Sequence, residues 1–240
     1  MGRAAAPGAA FTRPQVGSRE MKRLRVLVAI GVLALGPASA GTAQAAPVSG
    51  AAGCPTAEVF ATNNTAVITD PADPRLRTRL TRFDREVRGI VRAHGARTAG
   101  STLLDGVFWS GEQKQATYER SREFDVEGVG REGLHHIADV IRKQYDQESV
   151  LTFRCLPRTA PETDAVEVRA SGVSPARLRE ALLADPEARE RLGGGSVTLD
   201  GRLVLIAPVA DLPLARRFTA ALGVDWNRAE VRYGDEEFVA

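Results

Sequence analysis

His135 and His136 stand four and three residues before Asp139, a spacing that on a helix sets them on neighbouring positions. Two of the three side chains could share a cation there. A catalytic zinc needs a third protein ligand and an open coordination position, and the linear sequence supplies no further ligand. His135, His136 and Asp139 are therefore the metal candidates, with a solvated helix face as the simpler reading.

A second cluster lies in Tyr118-Glu119-Arg120-Ser121-Arg122-Glu123-Phe124-Asp125. On a strand, alternation puts Glu119, Ser121, Glu123 and Asp125 on one face and Tyr118, Arg120, Arg122 and Phe124 on the other. Glu119 and Glu123 could form the acid–base pair that glycosidases use. Cross-strand ion pairs account for the same charges. With Asn63 on a neighbouring strand and Trp109 on the preceding one, Glu119, Arg120 and Arg122 outline a polar surface suited to binding.

Other chemistry is missing. There is no Gly-x-Ser-x-Gly elbow, His-Glu-x-x-His pair or calcium loop, and Gly193-Gly194-Gly195 lacks the lysine and hydroxyl of a phosphate loop. His94, next to Gly95, suits a helix C-terminus, where it caps free carbonyls.

The elements that would carry these residues follow a repeated order. Glu58 to Ile68 reads as a strand. Asp70-Pro71 opens a helix to Ala93 with Leu76, Leu80, Phe83, Val87 and Ile90 on one stripe. Thr102–Ser110 and Ala116–Val126 read as paired strands. Leu134, Ile137 and Ile141 mark a second helix, and Ser149–Arg154 a fourth strand. After the proline-containing segment 157–163 the order recurs. A strand at Ala165–Ala170 precedes a helix capped by Ser174-Pro175, and the Asp200-Gly201 turn joins two strands. A helix follows Asp211, and Ala229–Tyr233 reads as the last strand.

Two passes of β-α-β-β-α-β define the expected fold class: α+β, two tandem ferredoxin-like (split βαβ) subdomains with antiparallel sheets. Residues 55–156 and 164–240 form the subdomains, with 157–163 as linker. Right-handed crossovers give each sheet the strand order 4-1-3-2. Cys54 before the first strand and Cys155 after the fourth then fall side by side, within disulfide reach. No Cys-x-x-Cys spacing points to redox work.

The 240-residue chain is 43% hydrophobic and 26% charged, which excludes disordered and disulfide-dense classes. Residues 1–45 carry Arg3, Arg13, Arg19, Lys22, Arg23 and Arg25 against Glu20 alone, so the formal +2 conceals a mildly acidic remainder. That argues against nucleic acid as a partner. Met21-Lys22-Arg23-Leu24-Arg25, the apolar run Val26–Leu35 and the sites Ala38-Ser39-Ala40 and Ala43-Gln44-Ala45 have the layout of a secretory signal peptide, with Met21 as an alternative start. Residues 46–54 would form a disordered mature N-terminus, and the product would leave the membrane after cleavage.

The sequence thus points to a secreted, non-enzymatic binding protein that meets a protein or cell-wall component through open sheet faces, with no cofactor. The alternative is a secreted hydrolase, metal-assisted through His135, His136 and Asp139.

Overall fold

The computed structural model describes residues 57–240. The chain divides into Met1–Ala46, outside the described residues, and Pro47–Ala240. The signal-peptide and N-terminal expectations therefore fall outside the described residues, as does Cys54. Cys155, at the end of the fourth strand opposite Gly234, is not a free thiol.

Eight strands form one closed barrel. They are β1 (Ala57–Ala61), β2 (Arg97–Ser110), β3 (Gln115–Glu127), β4 (Val150–Cys155), β5 (Ala165–Ser171), β6 (Gly194–Thr198), β7 (Arg202–Pro208) and β8 (Glu230–Val239). Around the barrel they run β1-β3-β2-β6-β7-β5-β8-β4, with every neighbouring pair antiparallel. Two separate ferredoxin-like subdomains with open sheet faces are thereby overturned. The sheet edges that such subdomains would expose are consumed at two seams. In one, β2 pairs with β6 from Leu104↔Thr198 to Phe108↔Gly194. In the other, β4 pairs with β8 from Val150↔Val239 to Cys155↔Gly234. Closure removes unpaired backbone donors and acceptors that open edges would leave.

Both seams hold the strands very close at one glycine. A Cβ on Gly194 would lie 2.3 Å from the Val107 carbonyl oxygen, and one on Gly234 would lie 2.2 Å from that of Arg154. The Gly193-Gly194-Gly195 run, expected as a turn, places two of its glycines within β6.

Helices cover the outside. α1 (Thr81–Ala93) and α2 (Arg131–Gln144) pack Phe83, Val87, Leu134, Ile137 and Ile141 against the outward residues Val59, Phe124 and Val126. α3 (Pro175–Ala184), α4 (Pro186–Arg191) and α5 (Leu212–Ala221) pack Leu178, Leu182, Ala188, Leu214 and Phe218 against Val166, Val168, Leu203 and Leu205. Alternation explains the division: each strand sends one row of side chains to the helices and the other into the lumen. Burying each large apolar side chain of the outer layer contributes about 1.5–3 kcal/mol.

Local departures have local causes. Instead of one helix from Asp70, Pro74–Arg77 forms a 3-10 turn, and Leu80 takes a left-handed conformation (φ 51°) that separates it from α1. The expected strand Glu58–Ile68 stops at Ala61, and Ile68 keeps a single bridge to Tyr118. β8 continues past Tyr233 to Val239.

Candidate functional site

The pairing register sets which side chains meet inside the barrel. Glu58 opposes both Asp125 and Phe153, Phe60 opposes Glu123 and Leu151, and Gly106 opposes Glu119. Across the barrel, Glu167 opposes Arg232 and Ile206, and Phe153 opposes Glu236. Paired residues share a face. Glu58, Phe60, Glu119, Ser121, Glu123, Asp125, Glu167, Arg169 and Arg232 thus belong to one inward-facing set.

The lumen has a charged layer and, above it, a pocket. In the layer, the Arg169 guanidinium lies 3.2 Å from Glu58 and 2.6 Å from both Glu123 and Glu167. Arg232 donates to Glu58 and to Glu167. All five residues are nearly enclosed. Burial, and then Glu58, push the Glu123 carboxyl up to about 7, against the lowering effect of Arg169. Burial also raises Glu58, opposed by Arg169 and Arg232. Glu58, Glu123 and Asp125 bring carboxylate oxygens within 4.8 Å of one another, yet two of the three already pair with Arg169.

The pocket lies toward the end of the barrel where β1 and β2 finish and β4 and β6 begin. Its volume is about 420 Å³, and its apolar walls are Phe60, Phe108, Leu151, Ile206 and the exposed Phe238. Trp109 stands at its edge with the Arg189 guanidinium 4.4 Å from the ring centre. The polar groups are Glu119, Ser121, Gln147, Ser149, Ser196 and Glu236.

One of these lacks a partner that buried polar groups normally have, and another is a half-buried carboxyl without a cation. Gln147 is 8% exposed. Its Oε1 accepts from the Thr62 amide at 3.2 Å, but its Nε2 is buried without an acceptor. Glu119 has no ion pair among the described residues, and desolvation raises its pKa, with Ser121 as the lowering hydrogen-bond donor. The buried carboxylates each meet an arginine: Glu58, Glu123 and Glu167 meet Arg169, Asp211 meets Arg191, and Asp235 meets Arg154; Glu119 and Glu236 are half-buried and make no ion pair among the described residues. Glu119 also lines an adjoining 420 Å³ cleft that holds Asn64, Thr65 and Gln147.

The binding set expected from sequence is split by this geometry. Glu119 and Trp109 reach the pocket. Arg120 and Arg122 point outward. Arg120 pairs with Asp105 and donates to the Thr78 carbonyl at 2.9 Å, and Arg122 donates to Ser101 Oγ at 2.8 Å. Both arginines anchor the chain leading into α1. Asn63 is exposed on the loop beyond β1. Phe60, Phe108, Gln147 and Phe238 were not singled out from sequence, because a solitary aromatic or amide carries no spacing signal.

The hydrolase residues do not assemble. His135 Nδ1 lies 2.9 Å from Glu237, while Asp139 is held by Arg142 at 3.0 Å and Lys143 at 2.6 Å. His136 instead stacks edge-on against His94, with ring centres 4.9 Å apart. Glu119 and Glu123 are four residues apart on one strand, about 14 Å by strand rise. Glycosidase carboxyls stand roughly 5–9.5 Å apart, so this pair is too widely spaced.

No family model matches the chain, and no curated protein matches it. A solved structure from Lactobacillus acidophilus, provisionally described as a monooxygenase, aligns over 76% of this chain and 94% of its own, at 10% identity and a TM-score of 0.23. A likeness that slight carries no argument about fold or activity.

Proposed function

We propose that this is a secreted, non-enzymatic binding protein whose barrel mouth holds a small organic ammonium compound with an apolar body and one hydrogen-bond acceptor. The observation that carries the reading is Glu119, a desolvated carboxyl without a cationic partner among the described residues, in a pocket walled by Phe60, Phe108 and Phe238. An ammonium group satisfies Glu119 by a charge-assisted hydrogen bond, and the aromatic faces favour it further. The ligand's acceptor meets the unsatisfied Nε2 of Gln147. The open sheet faces once expected to meet a protein or cell-wall partner are closed by the barrel, which favours a small ligand over a flat interface. Secretion rests on the leader-like composition of residues 1–45.

The test compares phenylalaninamide with 3-phenylpropanamide, which lacks only the amino group, by calorimetry and by Trp109-sensitive fluorescence. A charge-assisted hydrogen bond contributes about 1.5–3 kcal/mol, so the ammonium compound should bind at least about tenfold more tightly. Glu119→Gln should erase that preference, and Gln147→Leu should weaken both compounds alike. Equal binding of the two by the native protein, or no binding of either, overturns the proposal.

A further inference from the structure

A second cavity lies outside the barrel and carries cationic side chains that the mouth lining lacks. It measures about 620 Å³, within the range of small-molecule sites, and sits between the 3-10 turn Pro74–Arg77, the outer face of β2–β3 and the first turns of α3. Its apolar surface includes Leu76, Tyr118 and Leu183, the last a large aliphatic side chain left 38% exposed. Arg77, Lys114 and Arg179 surround it from three different elements.

None of these three cations makes an ion pair among the described residues, although the neighbouring Arg75 and Arg120 are paired with Asp73 and Asp105. The acidic residues on the wall are Asp105, engaged by Arg120, and Glu119 and Glu180. Arg77 and Arg179 reach the cavity from separate elements, one on the 3-10 turn and one on α3. An anionic head could meet either guanidinium while its tail covers Leu76, Tyr118 and Leu183.

We infer that this outer cavity binds an amphipathic carboxylate, a medium-chain acyl or arylalkyl acid, as a second ligand beside that of the barrel mouth. Apolar burial supplies the affinity, and the arginines select the charge.

Dodecanoate is the probe, titrated calorimetrically into the full chain with dodecan-1-ol and dodecyltrimethylammonium as comparisons. The expected result is one dodecanoate per chain, bound at least tenfold more tightly than either comparison. R77E/R179E should lower dodecanoate affinity at least tenfold. Both arginines are exposed, so the thermal midpoint should hold; R77Q/R179Q offers a milder variant with an intermediate loss. F238A, which alters only the mouth, should leave dodecanoate binding unchanged. No binding by the native protein, binding unaffected by R77E/R179E, or binding lost in F238A would each overturn the inference. Glu119 borders both cavities, and neither R77E/R179E nor F238A alters it, so these arms separate loss of this site from loss of the mouth.

Discussion

Arg169 on β5 places its guanidinium 2.6 Å from the carboxylate of Glu123 on β3, the strand directly opposite it in the barrel. The contact crosses the lumen and joins the first half of the chain to the second. With Glu58, Glu167 and Arg232 it forms a layer of three carboxyls and two guanidiniums. Full ionisation would leave one negative charge in excess, and the raised pKa of Glu123 is the means by which a proton removes it.

Arg169→Met should be the most damaging single change in that layer. It strands Glu58, Glu123 and Glu167 around Arg232 alone, and breaking such a buried network by removing one partner costs about 3–5 kcal/mol. Urea unfolding followed by circular dichroism should show the loss. Glu123→Gln, which replaces a group already close to half-protonated at neutral pH, should cost far less. If Arg169→Met unfolds at the native midpoint, the layer does not stabilise the barrel.

Stability should fall as pH rises from about 4.5 to about 7. The Glu123 carboxyl has an ordinary value of 4.5 and a folded value of about 7, so in that window the folded chain binds more protons than the unfolded one. The slope of unfolding free energy against pH is therefore negative there. Raised Glu58 acts in the same direction. Urea midpoints at pH 5, 6 and 7 should decline for the native protein and flatten for Glu123→Gln; parallel declines would show that another group is responsible.

Gly194→Ala and Gly234→Ala should each open a seam. In both, the added methyl meets a partner-strand carbonyl at under 2.5 Å, and Gly194 also sits at φ 154°. A loss above about 2 kcal/mol is expected for each, as for other substitutions that strain packed backbone. Gly89→Ala on α1, where a Cβ meets nothing within 4 Å, should instead stabilise by about 0.5–1 kcal/mol. Thermal midpoints of the three variants separate these effects directly.

Phenylalaninamide binding should depend on pH on both sides. Affinity rises as Glu119 ionises through its raised pKa, and falls once the ligand amine, near the ordinary α-amino range of about 7.7–8.0, loses its proton. Glu119→Gln should remove the acidic limb alone. Calorimetry from pH 5 to 9 reads both limbs, and an unchanged acidic limb in the variant would exclude Glu119 as the contact.

Much of the local structure was legible because it depends on neighbours in sequence. The stripe Phe83, Val87 and Ile90 marks α1, Ser174-Pro175 opens α3, and Asp200-Gly201 turns β6 into β7. Alternation in β3 separated Glu119, Ser121 and Glu123 from Arg120 and Arg122 before any coordinates. That row was read as one side of an open sheet, whereas it faces a lumen. The acidic run Asp235-Glu236-Glu237 lies beyond the expected last strand Ala229–Tyr233, yet it belongs to β8 and helps close the barrel against β4. Its charges are tolerated because Asp235 meets Arg154 and Glu237 meets His135, partners 81 and 102 residues away.

By itself, then, the sequence determined the order of the strands and main helices, the two alternating rows of β3, and the absence of a linear catalytic motif. Those properties follow from the two-residue and 3.6-residue periods and from short-range capping. Tertiary structure alone decided that two half-sheets share both their edges, that Arg169 spans the lumen to Glu123, and that Glu119 is left without a cation beside an unsatisfied Gln147. These depend on register between strands far apart in the chain, where a shift of one residue would exchange every inward side chain for an outward one.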